Sequence, residues 1–282
     1  MKMALLHPGQ MGVTVGACAI AAGHTVGWMA HGRSEATEQR ATDGHFEPFH
    51  RMAELLHDRD VVVVVCPPEA ARATAKNVAE SGFKGLYLDA NAISPNSAVA
   101  IRELVESAGA TYVDGSIIGP PVREPGTTRL YLSGEKASVM ATYFTNSALE
   151  AIVIEGSASA ASAIKMCYAA WTKGSAALLL AVGALAQAEN ISSMLEAEWA
   201  RSIPDLADKL ANTAATSAPK AWRFAGEMHE IANTFDANEL PGGFHRGAAE
   251  TFALLKAFKN PSQEPNLNSV LQTMLKQSRS DK

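Results

Sequence analysis

The sequence lacks the marks of secreted proteins and of metalloproteins. Its only three cysteines, Cys18, Cys66 and Cys167, lie far apart, each in an apolar stretch. An odd, scattered set of this kind does not form a disulfide framework, so we expect reduced thiols in the core and a cytoplasmic location. No histidines, cysteines and carboxylates stand at the spacing of metal ligands, and we expect no metal site.

Excess positive charge and long hydrophobic runs are also missing. The 24 lysines and arginines are outnumbered by 29 aspartates and glutamates, which gives a formal net charge of −5. Nucleic acid is therefore not an expected partner, because phosphate backbones attract basic surfaces. The first residues do not resemble a signal peptide. Residues 174–188 are apolar but fewer than the roughly 20 needed to cross a bilayer, so we interpret them as a buried helix and expect no membrane segment.

What the sequence does contain is an alternation of short apolar runs with alanine-rich stretches over residues 2–154. This alternation is typical of βα units that build a parallel sheet. The predicted strands are 2–7, 24–29, 61–66, 86–90, 111–115, 129–134 and 151–156, and the predicted helices include 12–22, 69–80 and 95–108. The run of five valines from residue 61 has no polar alternation, which predicts a strand covered on both faces.

The pattern changes after Gly156 to helical spacing with no convincing strand. Prolines and glycines divide this part into helices near 159–189, 191–200, 204–214, 217–234 and 244–258, and the tail that follows carries one short amphipathic patch. We therefore predict an α/β protein in two domains. Residues 1–156 would form a doubly wound sheet, and residues 157–282 would be all helical.

The stretch HPGQMG follows the first predicted strand and precedes a helix. In a dinucleotide-binding turn three glycines allow a tight bend, backbone approach to the pyrophosphate and close helix packing. Here His7, Gly9 and Gly12 hold those positions, and the His-Pro pair must set the bend by another backbone path. A plain strand-to-helix turn is the alternative, but the strand, small-residue helix and second strand favour a cofactor site at Gly9, Gln10, Met11 and Gly12.

Two further strand ends bear on the cofactor. Beyond the second strand no acidic residue precedes Glu35, and Arg33 with Ser34 stands where an NAD site would hold a carboxylate. A guanidinium suits a 2′-phosphate, so we expect NADP(H), with a solvated loop cation as the alternative. Cys66 and Pro67 end the valine strand, where ligands of such sheets gather, and we expect backbone contacts there.

Four segments together resemble one enzyme family: HPGQMG, DANAISP, DGSIIGPP and ASAIKMCYAAWTKG. They are similar to motifs of the β-hydroxyacid dehydrogenases, relatives of 6-phosphogluconate dehydrogenase, and of the imine reductases that share their Rossmann fold. The uncharacterised members whose C-terminal domain has no assigned role are the most similar. The resemblance extends over nearly the whole chain.

The resemblance implies roles for particular residues. Lys165 would be the general acid/base, and Tyr168 would replace as donor the family's asparagine, where this chain has Ala169. Asn91 would lie beside the nicotinamide. The remaining implied residues would bind substrate: Ser116, Ile118 and Gly119 from the strand-end segment, and Arg223, Glu227 and Glu230 from one face of a later helix. Ion pairs on a solvated helix surface are the alternative for the last three.

The expected function is that of an NADP(H)-dependent oxidoreductase that interconverts a small hydroxy acid and its oxo form. The alternatives are reduction of a C=N bond on the same fold, and a dinucleotide-binding sensor without chemistry of its own. DGSIIGPP has no Ser-Gly-Gly for a substrate carboxylate, which weakens the acid hypothesis, whereas a lysine at position 165 supports it. We also expect a homodimer that buries the long helix 159–189.

Overall fold

The computed structural model describes residues 1–261 and 263–280. The chain divides into two compact units, Met1–Met166 and Cys167–Lys282. The division falls inside a long helix that begins at Ala160, although the sequence pattern changes earlier, after Gly156.

The first unit contains one sheet of eight strands. They are β1 (Lys2–Leu6), β2 (Thr25–Met29), β3 (Glu47–Phe49), β4 (Val61–Val64), β5 (Leu86–Asp89), β6 (Thr111–Ile118), β7 (Arg129–Ser133) and β8 (Glu150–Val153). Their order across the sheet is β3-β2-β1-β4-β5-β6-β7-β8. Every pairing is parallel except that of β6 with β7. The first six strands thus have the 3-2-1-4-5-6 order of a dinucleotide-binding doubly wound fold.

Helices cover both faces of this sheet. They are α1 (Gln10–Ala21), α2 (Glu35–Asp43), α3 (Met52–Leu56), α4 (Pro68–Glu80), α5 (Pro95–Ser107) and α6 (Ala137–Thr142). Val61 and Val63 belong to one core cluster with residues of α1, while Val62 and Val64 belong to the other with residues of α4 and α5. The prediction that this strand is covered on both faces is confirmed.

Two strands of this unit differ from the prediction. β3 was not predicted because it has three residues, one of them Pro48, and such a strand is accommodated only at an edge. β6 continues to Ile118 instead of ending at Gly115. That glycine does not break the strand: a Cβ there would lie 2.6 Å from Leu88 Cδ1, so its lack of a side chain lets β5 and β6 pack closely.

The second unit is helical, and the described residues beyond Val153 contain no strand. The helices are α7 (Ala160–Ala188), which begins in the first unit, α8 (Ser192–Ser202), α9 (Leu206–Ser217), α10 (Ala221–Ala237), α11 (Gly243–Ala253) and α12 (Leu267–Ser280). The tail was expected to hold only a short amphipathic patch and instead forms α12. Val270, Leu271 and Met274 are buried at helical spacing, and their burial stabilises the helix.

α7 is 29 residues long, and among the described helices it alone is long and apolar enough to cross a membrane. In its most apolar window 44% of the residues are buried within the protein, and core helices of soluble proteins meet the same criteria. All three cysteines are free thiols. Cys18 is buried as expected, but Cys167 is exposed on α7, so its expected place in the core was wrong.

Candidate functional site: the carboxyl ends of the parallel strands

The turn after β1 bends at the histidine that replaces the first glycine. His7 has φ of +70°, the left-handed conformation that glycine adopts most readily. Its carbonyl accepts a hydrogen bond of 2.8 Å from the Gly9 N–H, which closes the turn. The bend therefore lies at His7 itself rather than arising from a different path through Pro8. Burial, and next the charge of Arg33, lower the pKa of His7 to about 4, so the imidazole is neutral at physiological pH.

The two remaining glycines of the turn have separate structural reasons. A Cβ on Gly12 would lie 2.5 Å from the His7 carbonyl oxygen, a backbone atom that cannot move aside cheaply. Glycine at this position therefore lets α1 pack closely on the end of β1. A Cβ on Gly9 would meet no atom within 4 Å, so the backbone there faces open space. These are the helix-packing and ligand-approach positions of a dinucleotide-binding turn.

The N-terminus of α1 has an uncompensated partial positive charge. Gly9 is its N-cap, makes no side-chain capping bond, and is followed by a first turn without an acidic residue. Free N–H groups and the helix dipole together favour an anion at such an end. With the open approach at Gly9, the residues Gly9 to Gly12 fit the pyrophosphate of a nicotinamide dinucleotide.

Two arginines lie near this turn on the segment after β2. Arg33 donates from Nε to the Met29 carbonyl over 3.4 Å. Arg40 donates from Nη2 to Thr37 Oγ1 at 2.8 Å and from Nε to the Pro8 carbonyl at 3.5 Å. The Ser34 hydroxyl lies 3.1 Å from the same Thr37 oxygen. The sequence analysis named Arg33 and Ser34 and did not name Thr37 and Arg40, whose only signal in the sequence is a spacing of about one helical turn within α2.

The ends of β4 and β5 are joined through an amide side chain. Asn91 Oδ1 accepts a 2.6 Å hydrogen bond from the Cys66 N–H, and the Asn91 N–H donates to Asp89 Oδ1 at 3.1 Å. Burial, and next the charge of Asp89, raise the pKa of the Cys66 thiol to about 12. Cys66 is therefore a neutral thiol and not a nucleophile, which leaves its backbone and that of Pro67 as the groups available to a ligand.

Several buried polar atoms without a hydrogen-bond partner lie at these strand ends, and others lie elsewhere, at His24, Tyr87, Tyr112, Arg223 and His245. Within the described part of the chain, those at the strand ends include His7 Nδ1, Asp89 Oδ2, Asn91 Nδ2 and Ser116 Oγ. Folded proteins pair the great majority of such atoms, so a cluster of unpaired ones indicates a place where a polar ligand completes the bonding. Burial raises the pKa of Asp89 to about 7, which makes its carboxyl group a possible hydrogen-bond donor near neutral pH.

Lys165 lies at the end of β6. Its Nζ donates to the Ile117 carbonyl at 2.7 Å, and the side chain is partly buried. The three predicted substrate residues of this strand end differ in access: Ser116 and Ile118 are buried, whereas Gly119 is exposed with φ of +135°. A Cβ on Gly119 would lie 2.5 Å from the Thr127 carbonyl oxygen, so only glycine fits there.

The remaining predicted residues belong to the helical unit. Glu227 is only 8% exposed and forms an ion pair with Lys173, so the alternative of solvated ion pairs is wrong for this residue. Lys173 also lies over the Phe224 ring, 4.6 Å from its centroid. Arg223 is partly buried, with Nε lacking a hydrogen-bond partner among the described residues. Its burial lowers the pKa of its guanidinium.

Glu230 is partly buried, and Tyr168 is exposed on α7. The roles of Tyr168 and of the α10 residues stay predictions. No group of three or more histidines, cysteines and carboxylates that could hold a metal ion occurs within residues 1–261 and 263–280.

Comparison with known proteins agrees with this geometry. The model of the NAD binding domain of 6-phosphogluconate dehydrogenase matches residues 2–144, just over half of the 282 residues. The chain belongs to this family. Residues 186–255 match a domain of unknown function, DUF1932. The first unit is thus a nicotinamide dinucleotide-binding domain of the 6-phosphogluconate dehydrogenase type.

A curated relative is an uncharacterised 28.5 kDa protein of Methanothermus fervidus, 28% identical over 155 residues, which are 55% of this chain and 59% of the relative. Among solved structures, the conserved protein MTH1747 of unknown function, described as similar to 3-hydroxyacid dehydrogenases, is 24% identical with a TM-score of 0.64 over 92% of this chain and 98% of its own.

Two enzymes share the fold at lower identity. A 3-hydroxyisobutyrate dehydrogenase of Mycobacterium tuberculosis is 16% identical with a TM-score of 0.66, covering 97% of this chain and 98% of its own. An imine reductase of Streptomyces aurantiacus is 16% identical with a TM-score of 0.54, covering 97% and 99%. These likenesses show the fold.

The conformation of His7 leads to a stability prediction. We expect the His7→Gly protein to be more stable than the His7→Ala protein by about 1 kcal/mol, because both lose the imidazole but only alanine retains a Cβ that clashes in the left-handed region. Thermal and urea unfolding of both proteins measures the difference. At the exposed mid-helix Lys76 the same pair should have the opposite order, since alanine favours a helix by about 1 kcal/mol over glycine. Equal stability of the two position-7 proteins would show that the bend imposes no demand there.

Proposed function

We propose that this protein is an NADP(H)-dependent oxidoreductase that interconverts a small hydroxy acid and its oxo form, with Lys165 as the general acid/base. The observation that carries the proposal is the position of Lys165. A lysine held at 2.7 Å on the Ile117 carbonyl lies at the end of a strand in a dinucleotide-binding unit, where such sheets bind their ligands. The family to which the chain belongs supports the reaction class.

The protein would contribute binding, orientation and one proton transfer. The bound nicotinamide supplies the hydride donor or acceptor. Residues Gly9 to Gly12 would hold the pyrophosphate through backbone N–H groups, and Asn91 offers its unpaired Nδ2 at the end of β5. Lys165 takes the proton from the substrate hydroxyl during oxidation and returns it during reduction. Tyr168, three residues further along α7, is the candidate second donor, because Ala169 has no group that could bond to substrate.

The preference for NADP(H) rests on the segment after β2. Arg33 and Arg40 offer two guanidinium groups, and Ser34 and Thr37 offer hydroxyls. No acidic residue lies between the end of β2 and Glu35 to bond a ribose 2′-hydroxyl or to repel a phosphate. Planar guanidinium groups recognise phosphate oxygens in pairs, so this set is suited to a 2′-phosphate.

The cofactor preference is testable by substitution of each arginine. We expect Arg33→Ala and Arg40→Ala each to weaken NADPH binding by about 10- to 100-fold, the range of a lost hydrogen bond to a charged group, and to change NADH binding little. Titration of each protein with both nucleotides, followed by fluorescence, measures the effect. Arg201→Ala, at an exposed position of α8, is the matched control. An equal loss for NADPH and NADH would contradict a 2′-phosphate role.

Reduction of a C=N bond is the second candidate, and one observation favours it. The segment reads Ile118-Gly119-Pro120 where a hydroxy acid site would carry Ser-Gly-Gly, and Ile118 is buried. A strand end without these small polar residues offers fewer donors to a substrate carboxylate. The shared fold with an imine reductase agrees with this candidate as much as with a dehydrogenase.

A substrate screen separates the candidates. β-Hydroxy acids with NADP and cyclic imines with NADPH would be assayed with the wild-type, Lys165→Met and Lys76→Met proteins. We expect oxidation of a hydroxy acid that falls about 10²- to 10⁴-fold in Lys165→Met, the contribution of general acid–base catalysis, and is unchanged in Lys76→Met. Turnover of imines alone would support the second candidate. Tight NADPH binding without turnover on either set would instead indicate a sensor.

In the helical unit, fewer residues are candidates for substrate binding than the sequence analysis named. Glu227 already pairs with Lys173, so its carboxylate is engaged within the unit. Arg223 is the candidate for a substrate anion, because its buried Nε lacks a hydrogen-bond partner among the described residues. Glu230, partly buried and seven residues after Arg223 on α10, is the candidate for a hydroxyl or amine.

We also propose that two copies associate through α7. Trp171, Leu178 and Leu185 follow one another at seven-residue steps and are 75%, 52% and 61% exposed. Exposed large apolar side chains on one stripe of a helix mark an association surface, and a second copy offers a matching stripe.

Charge placed on this stripe should separate the copies. We expect wild-type protein at micromolar concentration to have the mass of a dimer in light scattering, and Leu178→Glu combined with Leu185→Glu to have the mass of a monomer, since two carboxylates would be buried unpaired. Gln272→Glu, at an exposed position of α12, is the control and should keep the wild-type mass. A monomeric wild-type protein would overturn the proposal.

A further inference from the structure

The start of α7 is attached to the sheet by side chains from outside the helix. The first N–H groups of a helix have no partner within it and must be satisfied elsewhere. Here the Ala160 N–H donates to the Ser157 carbonyl at 3.0 Å, the Ala161 N–H to Ser133 Oγ at 3.0 Å and the Ser162 N–H to Asp114 Oδ2 at 2.7 Å. Two of the three acceptors thus come from strands β7 and β6.

Asp114 is the centre of this attachment. It is 1% exposed, and besides the Ser162 N–H it accepts hydrogen bonds from the hydroxyls of Ser162 at 2.6 Å and Ser133 at 3.1 Å. Asp114 and Ser133 are paired opposite each other on β6 and β7, which brings both to the same helix turn. Burial raises the pKa of Asp114 to about 6, and the hydrogen bonds from Ser162 and Ser133 act in the opposite direction.

β6 and α7 make a second contact, which lies three residues further along both the strand and the helix. Asp114 bonds Ser162, and the Ile117 carbonyl accepts from Lys165 Nζ. Since Ser162 and Lys165 are three residues apart on one helix, they lie on the same face. Fixing the backbone at Ser162 therefore fixes the point from which the lysine side chain extends.

We propose that Asp114 is a positioning residue for Lys165: its carboxylate anchors the first turn of α7 to β6 and thereby holds the lysine ammonium group on the Ile117 carbonyl. The proposal deepens the proposed function and rests on it for the importance of Lys165. Asp114 itself touches neither substrate nor cofactor in this account. A carboxylate suits the place because its charge also complements the helix N-terminus.

The anchoring can be measured without any substrate. Asp114→Asn preserves shape but removes the charge, Ser162→Ala removes one of the bonds, and Asp208→Asn removes an exposed carboxylate from the first turn of another helix, α9. Reductive methylation with formaldehyde and dimethylamine-borane, read by mass spectrometry, reports access to Lys165 relative to exposed Lys76. We expect Lys165 labelling to rise several-fold in Asp114→Asn and less in Ser162→Ala. In Asp208→Asn the labelling of Lys165 should match that of the wild type.

Amide hydrogen exchange gives an independent reading of the same turn. Loss of a bond to a charged acceptor should raise exchange of the first-turn amides of α7 about 10- to 100-fold in Asp114→Asn. The amides of α5, capped by Ser94, serve as the internal reference. Should Asp114→Asn fail to fold, the same two measurements on Ser162→Ala still decide the question.

Kinetics then connect anchoring to catalysis. With a substrate turned over by the wild type, Asp114→Asn should lower kcat about tenfold while the KM for NADPH stays within twofold. A purely structural role would lower Tm and leave kcat and Lys165 labelling at wild-type values, which would overturn the proposal. If Lys165→Met keeps its turnover, the proposed function fails instead, and the labelling and exchange results still show whether Asp114 anchors the helix.

Discussion

The close packing of α1 on the end of β1 is the constraint on which the rest of the first unit depends. A Cβ at Gly12 would lie 2.5 Å from the His7 carbonyl oxygen, so the helix can approach the strand only with glycine there. Because of that approach, the free N–H groups at the start of α1 lie at the carboxyl end of β1, beside the open backbone of Gly9. His7 can replace the first glycine of this turn because its backbone adopts the left-handed conformation that the turn requires. The electrostatic attraction for a pyrophosphate is a consequence of the packing.

The carboxyl ends of the parallel strands also contain buried polar atoms without a hydrogen-bond partner. Asn91 and Ser116 are almost fully buried, yet each has a polar atom without a partner among the described residues. In a structural core such groups would be destabilising by about 1 to 3 kcal/mol each. Their concentration at the ends of neighbouring strands is expected where a polar ligand supplies the missing bonds. Asp114, by contrast, is fully engaged and serves the helix rather than a ligand.

The strands, the change to helices and the cofactor turn were predictable from sequence because each rests on local information. The lack of polar alternation in the valine run indicates a strand that is covered on both faces. HPGQMG retains glycine at the ligand-approach and helix-packing positions of a dinucleotide-binding turn. β3 was not predictable, since three residues around Pro48 carry no pattern and pair only because β2 offers an edge. The continuation of β6 past Gly115 depends on a neighbour, Leu88, that only the folded sheet brings near.

Candidate site residues could be named from the sequence only where they occupy a position in a motif. Arg33 and Lys165 were named in this way, and their roles stay predictions. Lys173 pairs with Glu227, a residue 54 positions away. A contact of such separation leaves no mark in the local sequence. The role of Glu227 toward a substrate stays a prediction, and the structure adds an internal partner that the sequence did not indicate.

The contacts of β6 explain how Lys165 can keep its position beside an unusual strand-end segment. Lys165 bonds the main-chain carbonyl of Ile117, and its helix is attached through Asp114. Neither contact uses the side chains of residues 116–118. Because a backbone carbonyl is present whatever the side chain, this segment can carry Ile118 in place of a serine without displacing the lysine. The position of Lys165 is thus fixed by the fold, independently of the side chains at the strand end.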